Sequence, residues 1–136
     1  MLFNNINIYV FFGLISPPRT KFDLNFNQDI YRLKLPASNN PDDKWEKISF
    51  VGEKISLCLN SLLNVNETEI YIIGGRSQGD NFSNNSYRFE PFTKNLTQNN
   101  VNLGKKLCFL ESNFLKIPEE EYALYSSDFH FVKFKI

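Results

Sequence analysis

Tyr71-Ile72-Ile73-Gly74-Gly75, followed after a short polar segment by Tyr87-Arg88-Phe89-Glu90-Pro91-Phe92-Thr93, is the stretch that decides the fold. Glu69–Ile73 is an apolar run bounded by turn residues, the pattern of a buried strand. Gly74-Gly75 ends it, two residues free to take positive φ and to let another backbone approach closely. Upstream, Asn64–Thr68 is a polar turn, and Ile55–Leu63 reads as the strand before it. Downstream, the loop Arg76–Ser83 leads to a third strand near Asn85–Glu90. Pro91-Phe92-Thr93-Lys94 then turns the chain into a fourth strand around Leu96. No segment sustains a 3.6-residue apolar period with caps, so helix content is expected near zero.

The same order recurs along the chain. Tyr9 opens Tyr-Val-Phe-Phe-Gly and Tyr122 opens Tyr-Ala-Leu-Tyr-Ser. Asp29-Ile30-Tyr31-Arg32-Leu33 and then Trp45 answer Asn85-Ser86-Tyr87-Arg88-Phe89 and then Leu96. Trp45 to Tyr71 and Leu96 to Tyr122 are both 26 residues, whereas Tyr9–Trp45 is 36 and Tyr71–Leu96 is 25. The difference is confined to two loops. A period of about fifty residues, built from an aromatic strand, a glycine turn and a second tyrosine strand, marks a repeat architecture.

These residues resemble the kelch repeat, the blade unit of one class of β-propeller. Its pattern is a hydrophobic strand ending in Gly-Gly, a tyrosine strand, a turn like Asp-Pro-x-Thr, and a tryptophan. Tyr71–Gly75 matches the first part, Tyr87–Thr93 the second, and Trp45 the tryptophan of the first unit. Phe12-Gly13 and Tyr125-Ser126 depart from the double glycine, and Leu96 stands where tryptophan is expected. The resemblance implies an all-β fold of kelch-type β-propeller blades, a single kelch-repeat region over 1–136 with units of about 1–50, 51–101 and 102–136. Read this way, one complete four-stranded blade is flanked by two partial ones, the first lacking its opening strand and the third its tryptophan strand. The tyrosines and Trp45 are expected to pack between blades, each burying on the order of 150–250 Å2.

A propeller closes with about four to eight blades. Three units leave an incomplete ring with open edges and apolar faces at its ends. Three readings stand: the tail of a longer propeller, an open fragment that associates with itself or a partner, or a compact all-β domain that has drifted from such an ancestor.

The 136 residues suit one domain, and 42% hydrophobic with 15% aromatic residues supply a core. Fifteen basic residues balance fifteen acidic ones. That balance argues against binding nucleic acid or a membrane surface through a basic excess. Ile6–Ile15 has the apolar character of a signal-peptide core but no basic flank, and it aligns with the strand Tyr71–Gly75. A cytoplasmic protein is expected, or a secreted one if residues 1–16 act as a signal. The sequons at Asn66, Asn81, Asn84 and Asn95 sit in a chain with 18 asparagines, where about two would arise by chance.

Chemistry-bearing groups are sparse. Cys58 and Cys108 stand 50 residues apart, one repeat position read twice, and are expected as buried free thiols. His130 is the sole histidine. With Asp128 and Ser126 or Ser127 beside it a triad comes to mind, but neighbours in one hairpin rarely give that geometry. Kelch-like oxidases hold copper through several converging ligands, which one histidine does not supply. Gly74–Gly79 lacks the spacing of a phosphate-binding loop. No catalytic residue, metal or cofactor is therefore expected.

What remains is surface. The loops between second and third strands, Leu14–Asn27 and Arg76–Ser83, collect on one face in propellers of this type, and rigid scaffolds carry binding residues on loops. Arg19, Lys21 and Phe22 with Arg76, Asp80 and Phe82 mix charge and aromatic anchors suited to a protein partner. The expected role is a non-enzymatic adaptor or scaffold. The alternative is a fragment of a kelch-like enzyme, an oxidase or a sugar-converting protein, whose catalytic blades lie outside this chain.

Overall fold

The fold follows from alternation. Side chains in a strand point to opposite faces in turn, so each apolar pair two residues apart must find a cover. In the computed structural model the described residues are 2–4, 7–15, 25–35, 45–58, 60–78, 81–99, 101, 112–117, 121–126 and 131–135. For 2–4, 112–117, 121–126 and 131–135 the backbone is described, with the side chains of Ala123 and Lys133. Eleven strands and no α-helix occur among them. The first sheet has the order β1 (Leu2–Asn4), β2 (Asn7–Phe11), β3 (Ile30–Lys34), β4 (Glu46–Ile48). The second has β5 (Ser61–Asn66), β6 (Glu69–Ile73), β7 (Ser86–Glu90), β8 (Asn95–Asn99). A third has β9 (Ser112–Ile117), β10 (Glu121–Ser126), β11 (Phe131–Lys135). All three are antiparallel meanders. The protein is all-β. Among the described residues no helix is long and apolar enough to cross a membrane.

Two expectations are corrected. The count of one complete four-stranded unit flanked by two partial ones does not hold: among the described residues two sheets have four strands and one has three. Leu2–Asn4 pairs with β2, Leu2 opposite Tyr9 and Asn4 opposite Asn7, and so covers a strand edge that would otherwise lie open. The first strand of the second sheet begins at Ser61, not Ile55. Ile55 and Leu57 are buried with strand-like alternation, but their segment is used as a strap between sheets. The Leu57 carbonyl accepts from Gly13 N (3.1 Å), while Cys58 and Arg76 exchange backbone bonds of 3.0 and 2.7 Å. Further back, Val51 bonds Lys94 O and Leu96 N at 2.9 and 2.8 Å, lying parallel to β8. Gly52 follows at φ 136, and any Cβ there would enter the shell of the Leu96 carbonyl oxygen.

The core forms where the first sheet meets the second. Tyr9, Phe11, Ile30 and Ile48 on one side meet Ile70, Ile72, Phe89 and Leu96 on the other. Phe89 stands edge-on to Phe11 (centroids 5.4 Å) and Tyr9 (6.3 Å), the geometry that aromatic quadrupoles prefer. Tyr71 and Ile73 point to the opposite face of β6 and are buried as well, so both faces of that strand are covered. Ala123, central in β10, is fully buried. β1 lies beside β5 and β5 beside β9, so the first strands of the three sheets are neighbours.

Tyr9 and Tyr71 are buried as expected of packing aromatics, and Tyr31 and Tyr87 are half-buried. Trp45 is not: it is 46% exposed, whereas Leu96 is only 4% exposed. Trp45 lies one residue beyond the pair Arg32–Glu46, across from Leu33, as Leu96 lies across from Phe89. The difference is cover. Leu96 faces the first sheet, and Trp45 is on the face turned away from the second.

Candidate functional site

The loops that follow β2 and β6 are built alike. Phe12 N donates to Asp29 O at 3.1 Å, as Gly74 N does to Asn85 O at 3.0 Å. Asn27 N bonds Gly13 O and Ser83 N bonds Gly75 O, both at 2.9 Å. Ile15 N bonds Asn25 O and Ser77 N bonds Asn81 O, both at 2.8 Å. Leu14 bridges Phe26 as Arg76 bridges Phe82. The turn beneath each ladder has the same backbone: φ is 52 and 113 at Phe12-Gly13, and 66 and 112 at Gly74-Gly75. Phe12 thus takes the left-handed conformation of a glycine. Its ring is buried and set edge-on against Phe11 at 6.1 Å. The longer loop differs only beyond Ile15 and before Asn25, since 15–25 spans six more residues than 77–81.

The strap ties the two loops together. Leu57 O holds the turn at Gly13, and the next residue, Cys58, pairs with Arg76. Gln28 Nε2 donates to Ser56 Oγ at 2.6 Å, a further bond from the first loop to the strap. In the second loop the hydroxyl of Ser77 and the amide of Asn81 bond Asn81 O (3.2 Å) and Gln78 O (2.9 Å). Both loop bases are therefore fixed by main-chain bonds at several points.

Of the residues expected at this site, Arg76 and Phe82 are brought together as bridge partners. Arg76 is half-buried and Phe82 is 45% exposed. Arg19, Lys21, Phe22 and Asp80 lie outside the described residues. Ile15, 64% exposed, and half-buried Phe26 stand at the positions of Ser77 and Phe82 in the first loop. Neither was singled out from the sequence. Aligning Leu14–Asn27 backward from Tyr31, and not only forward from Gly13, would have set Phe26 against Phe82.

The chemistry of this end is that of contact. Burial pushes the Cys58 thiol above its ordinary value, and the positive charge of Arg76 offsets that only in part. The thiol stays protonated at neutral pH and is a poor nucleophile. It is free, and its Sγ donates to Arg76 O at 3.6 Å. Arg32 pairs with Glu46 at 2.6 Å, Lys47 with Asp29 at 2.7 Å, and Arg88 with Glu69 and Glu90 at 3.3 and 3.1 Å. These charges are spent in local pairs along the sheets. Among the described residues no group of three or more His, Cys, Asp or Glu converges. Asp128, Ser127 and His130 lie outside the described residues, as does Cys108. A shallow groove of about 270 Å3 runs between the strap and β8, lined by Glu53, Ile55, Tyr87, Leu96, Thr97 and Gln98. No protein-family model matches the chain, and no curated protein matches it.

Proposed function

We propose that this chain is a run of kelch-like propeller blades that serves as a non-enzymatic protein-interaction module, binding a protein partner through the β2–β3 and β6–β7 loops. One observation carries it: two loops with the same turn and the same bridge, strapped to each other, display Ile15, Arg76 and Phe82. Loops fixed at their bases lose little backbone freedom on binding, and aromatic and Arg side chains are the residues that dominate interface energetics. The balanced charge of 15 basic and 15 acidic residues favours a protein over nucleic acid or an anionic membrane. The free thiol of Cys58 suits a reducing compartment such as the cytoplasm. The repeat of Tyr9–Gly13 and Tyr71–Gly75, and the neighbouring first strands of the three sheets, support the blade arrangement.

The test is affinity capture from matched lysates with the intact chain and with the double variant Arg76→Ala, Phe82→Ala. Loss of specific partners from the variant, with its melting transition unchanged, is the expected outcome. Identical partner sets would remove the loops from consideration.

A further inference from the structure

The face of the first sheet that carries Trp45 has a covered counterpart within the same molecule. Ile8 pairs with Leu33 and Val10 with Tyr31, in the register by which Ile70 pairs with Phe89 and Ile72 with Tyr87. Trp45 stands across from Leu33 as Leu96 stands across from Phe89. In the second sheet Ile70, Ile72 and Phe89 have no exposed surface and Leu96 has 4%, because the first sheet lies on them. In the first sheet Ile8, Val10, Tyr31 and Leu33 are only half-buried and Trp45 is 46% exposed. Tyr31 and Tyr87 are both half-buried; the other four positions, with the same register and the same apolar character, differ in one respect, whether a sheet covers them. Lys47, paired with Asp29, stands across from Tyr31 on the edge strand β4 and gives this face one charged flank.

What covers such a face is also shown within the chain. The second sheet receives the Tyr9 and Phe11 side of its neighbour. Tyr71 and Ile73, the matching residues of the second sheet, are already buried. In chain order the third member of this set is Tyr122-Ala123-Leu124 on β10, where Ala123 is buried as Ile72 is. We infer that the Ile8, Val10, Leu33 and Trp45 face of one copy receives the third sheet of a second copy, so that the protein associates head to tail by repeating its own sheet-on-sheet interface. Unlike surfaces meet in such a contact, so it propagates, into a ring where the rotation closes and an open array where it does not. It is separate from the proposed partner-binding loops: Arg76→Ala, Phe82→Ala protein should assemble as the wild type does.

Light scattering of the full chain tests this over a dilution series. The wild type should show at least twice the mass of one chain, falling toward one on dilution. Val10→Glu blocks the receiving face and Leu124→Glu the inserting one, so each variant alone should be monomeric. Their mixture should form a one-to-one dimer, since one intact half remains in each. Trp45 is the sole tryptophan and needs no mutation. Its emission should shift to the red as the wild-type complex is diluted, which decides the matter even if a variant fails to fold. A wild type that is monomeric throughout, with tryptophan emission independent of concentration, would overturn the inference. So would a Leu124→Glu protein that assembles like the wild type, or folded variants that stay monomeric when mixed.

Discussion

Among the described residues two non-glycine residues hold positive φ, Phe12 at 52 and Lys94 at 58, and they should respond oppositely to the same substitution. The left-handed conformation costs an L-residue about 1–2 kcal/mol. At Lys94, exposed in the β7–β8 turn, little opposes the relief. Lys94→Gly should raise the unfolding free energy by about 0.5–1 kcal/mol, the strain released less the added freedom of the unfolded chain. At Phe12 the buried ring outweighs the strain. Phe12→Gly should lower stability by about 2–4 kcal/mol, because loss of a buried aromatic costs more than the turn recovers. Urea unfolding of both variants checks the pair. A destabilised Lys94→Gly would mean that the turn stores no strain.

Among the elements, β3 and β4 are joined by the ion pair between Arg32 and Glu46 across the register. The hydrogen bond and charge of Arg32 hold the Glu46 carboxyl below its usual range, even though Glu46 is open to solvent. Its folded-state value is thus lower than its unfolded one. The stabilisation is present above the unfolded carboxylate value and is lost as pH falls through the folded value. Between about pH 5 and pH 3, around the ordinary Glu pKa near 4.3, the denaturation midpoint should fall more steeply for the wild type than for Glu46→Gln. Parallel pH profiles would show that the pair contributes nothing, as many exposed pairs do.

For the molecule as a whole, the first two sheets are held on each other by the core between them. Phe89 is the aromatic that touches both Tyr9 and Phe11, and Phe89→Ala should cost about 3–5 kcal/mol in unfolding free energy by opening a cavity at the interface. A loss below about 1 kcal/mol, the scale of a surface change, would mean that the two sheets do not depend on it. Ending the chain after residue 101 removes the third sheet. Stacked arrays lose a neighbour term with each unit removed, and a newly uncovered apolar sheet face invites association with other chains. The 1–101 variant should melt at lower temperature and aggregate at concentrations where the full chain stays in solution. Equal melting temperature and solubility would show that the third sheet leaves the first two unsupported.

The sequence by itself determined what is local. Tyr71–Gly75 and Pro91–Lys94 placed β6, the turn after β7 and the start of β8, because apolar runs and turn residues act on their own backbone. The repeat spacing placed the extra length of the first unit in the loop Leu14–Asn27, and it put Arg76 and Phe82 in one loop, where they bridge. Only the tertiary structure decided what depends on a neighbour. Ile55–Cys58 has the alternation of a strand, yet its hydrogen bonds run to two different loops. Leu2–Asn4 is too short to announce itself and exists as a strand through pairing with β2. Phe12 takes a glycine's conformation because its ring is held by the core. Trp45 and Leu96 occupy the same repeat position, and the pattern gave no sign that one would be exposed and the other buried. Burial is set by what lies across a face, and a strand's alternation says which side chains need cover without saying which of them receive it.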